Sequence, residues 1–238
     1  SGPLEGYRAL GEGRGQAGAN PLHAATVGPG LPVIMTLRDL RETGDEIRQI
    51  EGIFSGTLAY LFNVYDGHRP FSAIVREAKA LGYTEPDPRD DLSGTDVARK
   101  LIILGREMGL ELELADVEVE SLVPPSLRGC DAAEFLERLG ESDAGMQALH
   151  AEAAAAGQVL RYVGRLEASG RATVRLERLD ARHPFGNIAL TDNVVRFVTA
   201  RYCDNPLIVQ GPGAGPAVTA GGVFGDLLRL ATYLGARL

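Results

Sequence analysis

The sequence predicts an α/β protein in which a central sheet is backed by helices on one face. Four runs late in the chain, VLRYVGRLE, ATVRLERLD, NVVRFVTARY and PLIVQG, alternate like strands and are parted by Gly, Asp or Pro turns. Other segments carry apolar residues at helical spacing, most clearly Val97, Leu101, Leu104 and Met108. Strand-to-helix joins are written at Ser55-Gly56-Thr57 and at the glycine-rich GPGAG. With 238 residues, 45% of them hydrophobic and 24% charged, the chain is long enough to bury a substantial core.

Residues 1–20, rich in Gly, Ala and Arg, have room for one short helix before a Gly-Gln-Ala-Gly stretch ends it. TVGPGLPVIMTLRDL then packs Gly28 and Gly30 around Pro29, and its apolar run stops at Thr43-Gly44-Asp45. IRQIEGIF alternates as a strand and turns into the apolar helix TLAYLFNVY; FSAIVREAKALG forms the next helix, with Gly82 as a left-handed cap. Residues 83–96, YTEPDPRDDLSGTD, form a proline-braced acidic loop, with Asp90 and Asp91 expected at the positive end of the Val97 helix. Residues 110–157 read as surface elaboration: an alternating LELELADVEVE, a Pro-Pro turn, then helices in DAAEFLERLG and AGMQALHAEAAAAG. After the four strands, VTAGGVFGDLLRLATYL places Val223, Leu227, Leu230 and Leu234 on one helical stripe.

A net charge of −8 with scattered basic residues excludes a nucleic-acid surface, which needs a concentrated basic face. No apolar run approaches the roughly 20 residues that span a bilayer, so no membrane partner is expected. Cys130 and Cys203 stand far apart without a Cys-x-x-Cys spacing and are expected as buried thiols in a reducing cytoplasm. The chain opens on Ser1, and residues 1–20 lack the basic start and apolar stretch of a secretory signal, so a longer natural N-terminus is expected. His23, His68, His150 and His183 are widely separated, which argues against zinc. Ser55 lies in Phe-Ser-Gly-Thr rather than in a nucleophile elbow.

Two clusters carry candidate chemistry. Asp96 and Lys100 stand four apart on one helix, beside its apolar stripe; they form either an exposed ion pair or a partly desolvated lysine tuned for proton transfer. Glu85, Asp87, Asp90 and Asp91 form either a solvated capping loop or a site for an ammonium group or divalent ion. Gly211, Gly213 and Gly215 suggest a dinucleotide loop, but Pro216 and the short remainder of the chain leave an incomplete fingerprint, compatible with a tight strand-to-helix connection.

Three segments together resemble homoserine dehydrogenases: EGIFSGTLAYLFN at 51–63, LGYTEPDPRDDLSGTDVARKLIILGRE at 81–107 and GPGAGPAVTAGGVFGDLL at 211–228. TVGPGLPVI and VLRYVG extend the likeness from residue 21 to the end, with the C-terminal part of bacterial bifunctional aspartokinase–homoserine dehydrogenases the nearest in pattern. The resemblance implies residues 1–20 as the remnant of a Rossmann nucleotide-binding domain and 21–210 as a catalytic and dimerisation domain. Residues 211–238 would be a glycine loop and a helix that packs back on the nucleotide-binding domain, leaving an apolar face uncovered without it.

The resemblance also implies reversible NAD(P)H-dependent reduction of aspartate 4-semialdehyde to homoserine, in threonine and methionine biosynthesis, by a homodimer or higher homo-oligomer. Lys100 would exchange the proton of the substrate hydroxyl. Glu85 and Asp96 would hold the substrate's ammonium group, with Thr57, Tyr83 and Asp91 completing the pocket. Gly82 and Gly215 would let the nicotinamide nucleotide approach the backbone. Family members hold a sodium ion partly through a glutamate, where this chain has Ala24; the backbone carbonyls of Val27, Pro29 and Leu31 are left as a weakened site. Two rivals stand beside this reading: a non-catalytic dimerisation or regulatory module, and an oxidoreductase for another amino-acid aldehyde on the same scaffold.

Overall fold

A computed structural model describes residues 27, 28, 30–213 and 215–235. The expected short helix within 1–20, the nucleotide-domain remnant, Ala24 and Pro29 lie outside them. Among the described residues the chain runs α1 (Val33–Glu42), β1 (Ile47–Ile53), α2 (Gly56–Val64), α3 (Phe71–Ala80), α4 (Pro88–Leu92), α5 (Thr95–Glu107) and β2 (Val117–Val119). It continues through α6 (Ala132–Arg138), α7 (Asp143–Ala155), β3 (Gln158–Glu167), β4 (Ala172–Asp180), β5 (Asp192–Thr199), β6 (Leu207–Pro212) and α8 (Pro216–Tyr233).

The strands form one sheet in the order β2-β4-β3-β1-β5-β6, antiparallel throughout except where β2 runs parallel to β4. Alternation sorts the strand residues onto two faces. Ile50, Leu160, Tyr162, Leu166, Val195 and Phe197 join the main core, which α1, α2, α3 and α5 fill with Leu37, Leu61, Ile74 and Leu101. The expected central sheet backed by helices is therefore present. On the other side of the pleat an ionic row crosses four strands: Arg196 and Arg165 both pair with Glu51, which stands opposite each of them in register. Glu177 pairs in turn with Arg165 and Arg175.

Arg161 is the buried pin of this side. Its guanidinium donates to the carbonyls of Phe185 (2.8 Å), Phe62 (2.8 Å), Leu160 (2.7 Å) and Gly186 (2.7 Å), so the loop before β5 is tied to α2 and the sheet. Burial depresses its pKa from the ordinary arginine value. Arg161→Met should orphan buried carbonyls and cost about 3 kcal/mol of stability, readable as a lower urea midpoint with unchanged slope.

Within the alternating LELELADVEVE only Val117–Val119 pairs, because Leu114–Asp116 tightens into a 3-10 turn closed by a Glu113/Asp116 capping box. Three readings need correction. The 110–157 region is not surface elaboration, since Val123, Leu127, Phe135 and Leu139 are buried in the main core and Asp143 receives hydrogen bonds from the Ser72 N–H and hydroxyl at the start of α3. Asp90 and Asp91 belong to the separate short helix α4, capped by Asp87 with Pro88 at its first position; Gly94, at φ 73°, breaks the chain before α5. The cysteines are not both buried: Cys130 is half-buried and Cys203 exposed, both as free thiols.

Candidate active site

The site grows from the end of β1. There the chain leaves the sheet at Phe54, and Ser55 caps α2 by accepting the Leu58 N–H (3.2 Å), which places Thr57 in the first helical turn. Opposite, α3 stops in a Schellman arrangement, with Gly82 at φ 74° and bonds from Gly82 N to Lys79 O (3.0 Å) and Tyr83 N to Ala78 O (2.9 Å). The cap turns Tyr83 back over Tyr60, ring centroids 4.7 Å apart, and aims the Tyr83 carbonyl at Thr57, whose Oγ1 lies 2.6 Å away.

Asp91 ties these pieces together. Its Oδ1 lies 2.8 Å from Thr57 Oγ1, and its Oδ2 accepts the Glu85 N–H at 2.8 Å. Burial pushes its pKa above the ordinary aspartate value against the lowering effect of those bonds, and the neighbouring carboxylates Glu85 and Asp90 push the same way. Glu85 itself is exposed, with its backbone fixed and its carboxylate presented to the groove.

Lys100 lies one turn beyond Asp96 on α5. Its Nζ is held at 2.7 Å by Asp96 Oδ2 and donates to the Phe54 carbonyl at 2.9 Å, reaching from α5 to the β1 end. The lysine side chain is 16% exposed and that of Asp96 53%, so a largely desolvated ammonium meets a carboxylate that faces water. Two of the three ammonium hydrogens have acceptors, which leaves one direction for a third polar group. Ser55, Glu85, Asp91 and Asp96 line one groove of 1240 Å³, shared with Arg99 and Arg128. A lysine with an oriented nitrogen beside such a carboxylate groove can pass a proton to or from a small ammonium-bearing substrate.

Of the expected residues, hydrogen bonds join Thr57, Tyr83, Glu85 and Asp91, and an ion pair joins Lys100 to Asp96; Glu85, Asp91 and Asp96 line the groove, whereas Lys100, Thr57 and Tyr83 stand outside its lining. Gly82 and Gly215 carry no hydrogen bond into this cluster among the described residues. Both have positive φ (74° and 120°), and a Cβ on either would meet open space, the kind of surface to which a bound nucleotide could come close. Of the ion set, Val27 and Leu31 are described, and the Leu31 carbonyl already accepts the Val33 N–H at 2.8 Å. Among the described residues no group of three or more His, Cys, Asp or Glu side chains is placed to hold a metal ion.

Sequence reasoning missed two groups. The Phe54 carbonyl is backbone and leaves no residue-type signal. Asn193, a buried amide at the start of the valine-rich β5, donates from Nδ2 to that same carbonyl at 3.2 Å; an asparagine in an apolar strand was the available clue.

Fold and site define a mixed α/β domain with a lysine–carboxylate pair at the end of a mainly antiparallel sheet. The homoserine dehydrogenase profile matches residues 32–228, and the chain belongs to that family. It is 56% identical over 238 residues to bifunctional aspartokinase/homoserine dehydrogenase 2, chloroplastic, of Arabidopsis thaliana, covering 99% of this chain and 26% of that one. It is 48% identical over 229 residues to the homoserine dehydrogenase of Schizosaccharomyces pombe, covering 93% of this chain and 61% of the relative. Among solved structures, a hyperthermophilic archaeal homoserine dehydrogenase mutant in complex with NADPH superposes with a TM-score of 0.63 at 25% identity, over 90% of this chain and 56% of that one. The chain therefore spans about a quarter of the plant relative and under two thirds of the yeast one.

Proposed function

We propose that this chain is the catalytic and dimerisation part of a homoserine dehydrogenase, acting on homoserine and aspartate 4-semialdehyde. The observation that carries the reading is Lys100 Nζ, held by Asp96 and the Phe54 carbonyl beside a groove lined by Glu85 and Asp91. Gly82 and Gly215 would hold a nicotinamide nucleotide, which when bound would supply the hydride acceptor for the hydroxyl-bearing carbon of homoserine. Lys100, entering as the neutral amine, takes the hydroxyl proton as the C–O bond becomes a carbonyl; as the ammonium it returns that proton in the reverse direction. Glu85 and Asp91 bind the substrate ammonium, Thr57 touches Asp91, and Tyr83 completes the pocket. Asp96 orients Nζ from its exposed side and stabilises its charged form.

NADP(H) is the preferred nucleotide in this reading, supported by the NADPH held by the archaeal relative. Residues 1–20 and 211–238 would serve a nucleotide-binding domain, with 21–210 the catalytic and dimerisation domain, and the assembly a homodimer. No helix among the described residues is long and apolar enough to cross a membrane, and the two free thiols suit a reducing compartment such as the cytoplasm.

α8 supports the domain division. Val223, Phe224, Leu227 and Leu234 are more than half exposed along one apolar stripe, a face that a nucleotide-binding domain in cis would cover. The chain alone should bind an apolar dye there, and Phe224→Ser with Leu227→Glu should abolish most of that binding; unchanged binding counts against the division. For activity, homoserine-dependent reduction of NADP is compared in the chain alone and in the chain joined to a nucleotide-binding domain. Turnover in the joined protein is expected. A folded joined protein that binds NADP and leaves homoserine unoxidised would overturn the reading in favour of a non-catalytic module.

A further inference from the structure

Asn193 is 1% exposed, in a strand whose next two residues are the buried Val194 and Val195. Three segments converge on its amide. Nδ2 donates to the Phe54 carbonyl, the oxygen that also receives Lys100 Nζ, so the two nitrogens share one acceptor and lie no more than about 6 Å apart. Gly213 packs so closely on the amide that a Cβ there would overlap it, and a Cβ added at Gly28 would stand 3.8 Å from Nδ2. Gly213 before α8 and the lysine's acceptor thus meet on one side chain, with Gly28 close by.

The remaining atom argues against a packing role. Asn193 Oδ1 is buried with no hydrogen-bond partner among the described residues. A buried unpaired acceptor is unfavourable, and leucine, of nearly the same shape, would fill the space without it. Reversing the amide offers no relief, because Oδ1 would then face the Phe54 carbonyl. What the asparagine supplies and a leucine does not is the Nδ2–H on Phe54. The carbonyl follows the free end of β1, and its direction decides where Lys100 Nζ comes to rest.

We propose that Asn193 is a positioning residue of this site: its amide hydrogen fixes the Phe54 carbonyl that holds Lys100, and its body seats the glycine loop against the same point. The proposal rests on the assignment of Lys100 as the proton-transfer group. It links proton-transfer geometry to the loop that a nucleotide would touch, through one side chain that contacts neither substrate nor reacting atoms.

The test is Asn193→Leu. Stability of the 238-residue chain should be unchanged or raised, because the unpaired Oδ1 is gone. In the chain joined to a nucleotide-binding domain, kcat should fall about tenfold or more, with the homoserine KM changed less than about threefold. A residue that matters only for packing cannot give a more stable and slower enzyme. A second readout needs no cofactor: the chain has only two lysines, Lys79 and Lys100, so 13C-labelled lysine reports Lys100 with Lys79 as an internal reference. The Lys100 titration should move on Asn193→Leu while Lys79 stays fixed. Should Leu fail to fold, Asn193→Ala, which adds no bulk but leaves a cavity, is read by kcat and the Lys100 titration alone. An unmoved Lys100 titration, or kcat within twofold of the parent, overturns the proposal. Turnover that survives Lys100→Met would instead overturn the functional reading, leaving the lysine titration to judge the contact by itself.

Discussion

Lys100→Met is expected to lower kcat for homoserine oxidation about a thousandfold, within the range that a positioned acid–base group contributes. Methionine keeps the stem that fills the edge of α5, so the fold should survive. The lost ion pair has a half-exposed partner, Asp96, and is worth well under about 1 kcal/mol. The Phe54 carbonyl keeps the Asn193 N–H, so no buried acceptor is orphaned. A stopped-flow or steady-state assay of the joined protein, with thermal melting beside it, separates the two effects. A variant with kcat within tenfold of the parent would remove Lys100 from the chemistry and return the Asp96–Lys100 pair to surface electrostatics.

Much of this was legible in the order of residues. The strand alternation of β3 to β6 and the helical stripe of α5 are local patterns, and local patterns survive into the fold. So did the i,i+4 relation of Asp96 and Lys100, because helix geometry alone sets it. The alternation of LELELADVEVE describes a side-chain pattern and not a pairing partner, and only three of its residues find β4. The polar contacts that finish the site were not legible, because they join residues remote in sequence: Lys100 to Phe54 across 46 positions and Asn193 to Phe54 across 139. In the acidic loop, sequence supplied four carboxylates of equal standing. The fold separates them: Asp87 is held by Arg89 with its pKa lowered, Glu85 and Asp90 face solvent, and Asp91 alone is drawn under Thr57 and raised.

Asp91→Asn should raise the homoserine KM about tenfold at pH 8 and flatten its pH dependence, while leaving the folded chain as stable as the parent or more so. Thr57 has one hydroxyl proton and two acceptors within reach, the Tyr83 carbonyl at 2.6 Å and Asp91 Oδ1 at 2.8 Å. If the proton goes to Tyr83, the contact with Asp91 is favourable only when Asp91 carries its own proton; if it goes to Asp91 it favours the carboxylate, and burial is what raises the pKa against it. A group raised on folding stabilises the native state below its ordinary value near 3.8, and that contribution is lost as pH rises through the raised folded value. Asparagine reproduces the neutral acid, donating to Thr57 Oγ1 and accepting the Glu85 N–H, so it keeps those bonds at every pH. The melting-temperature difference, variant minus parent, should therefore widen as pH rises from about 4 and then level off above the folded pKa. Substrate works in the opposite sense. An arriving ammonium group favours the ionised carboxylate, so homoserine binding by the parent should release a proton and weaken as pH falls through the Asp91 transition. The variant should show neither effect. A parental KM at pH 8, or a stability difference that does not change with pH, would show that Asp91 is a structural acid outside the substrate's reach.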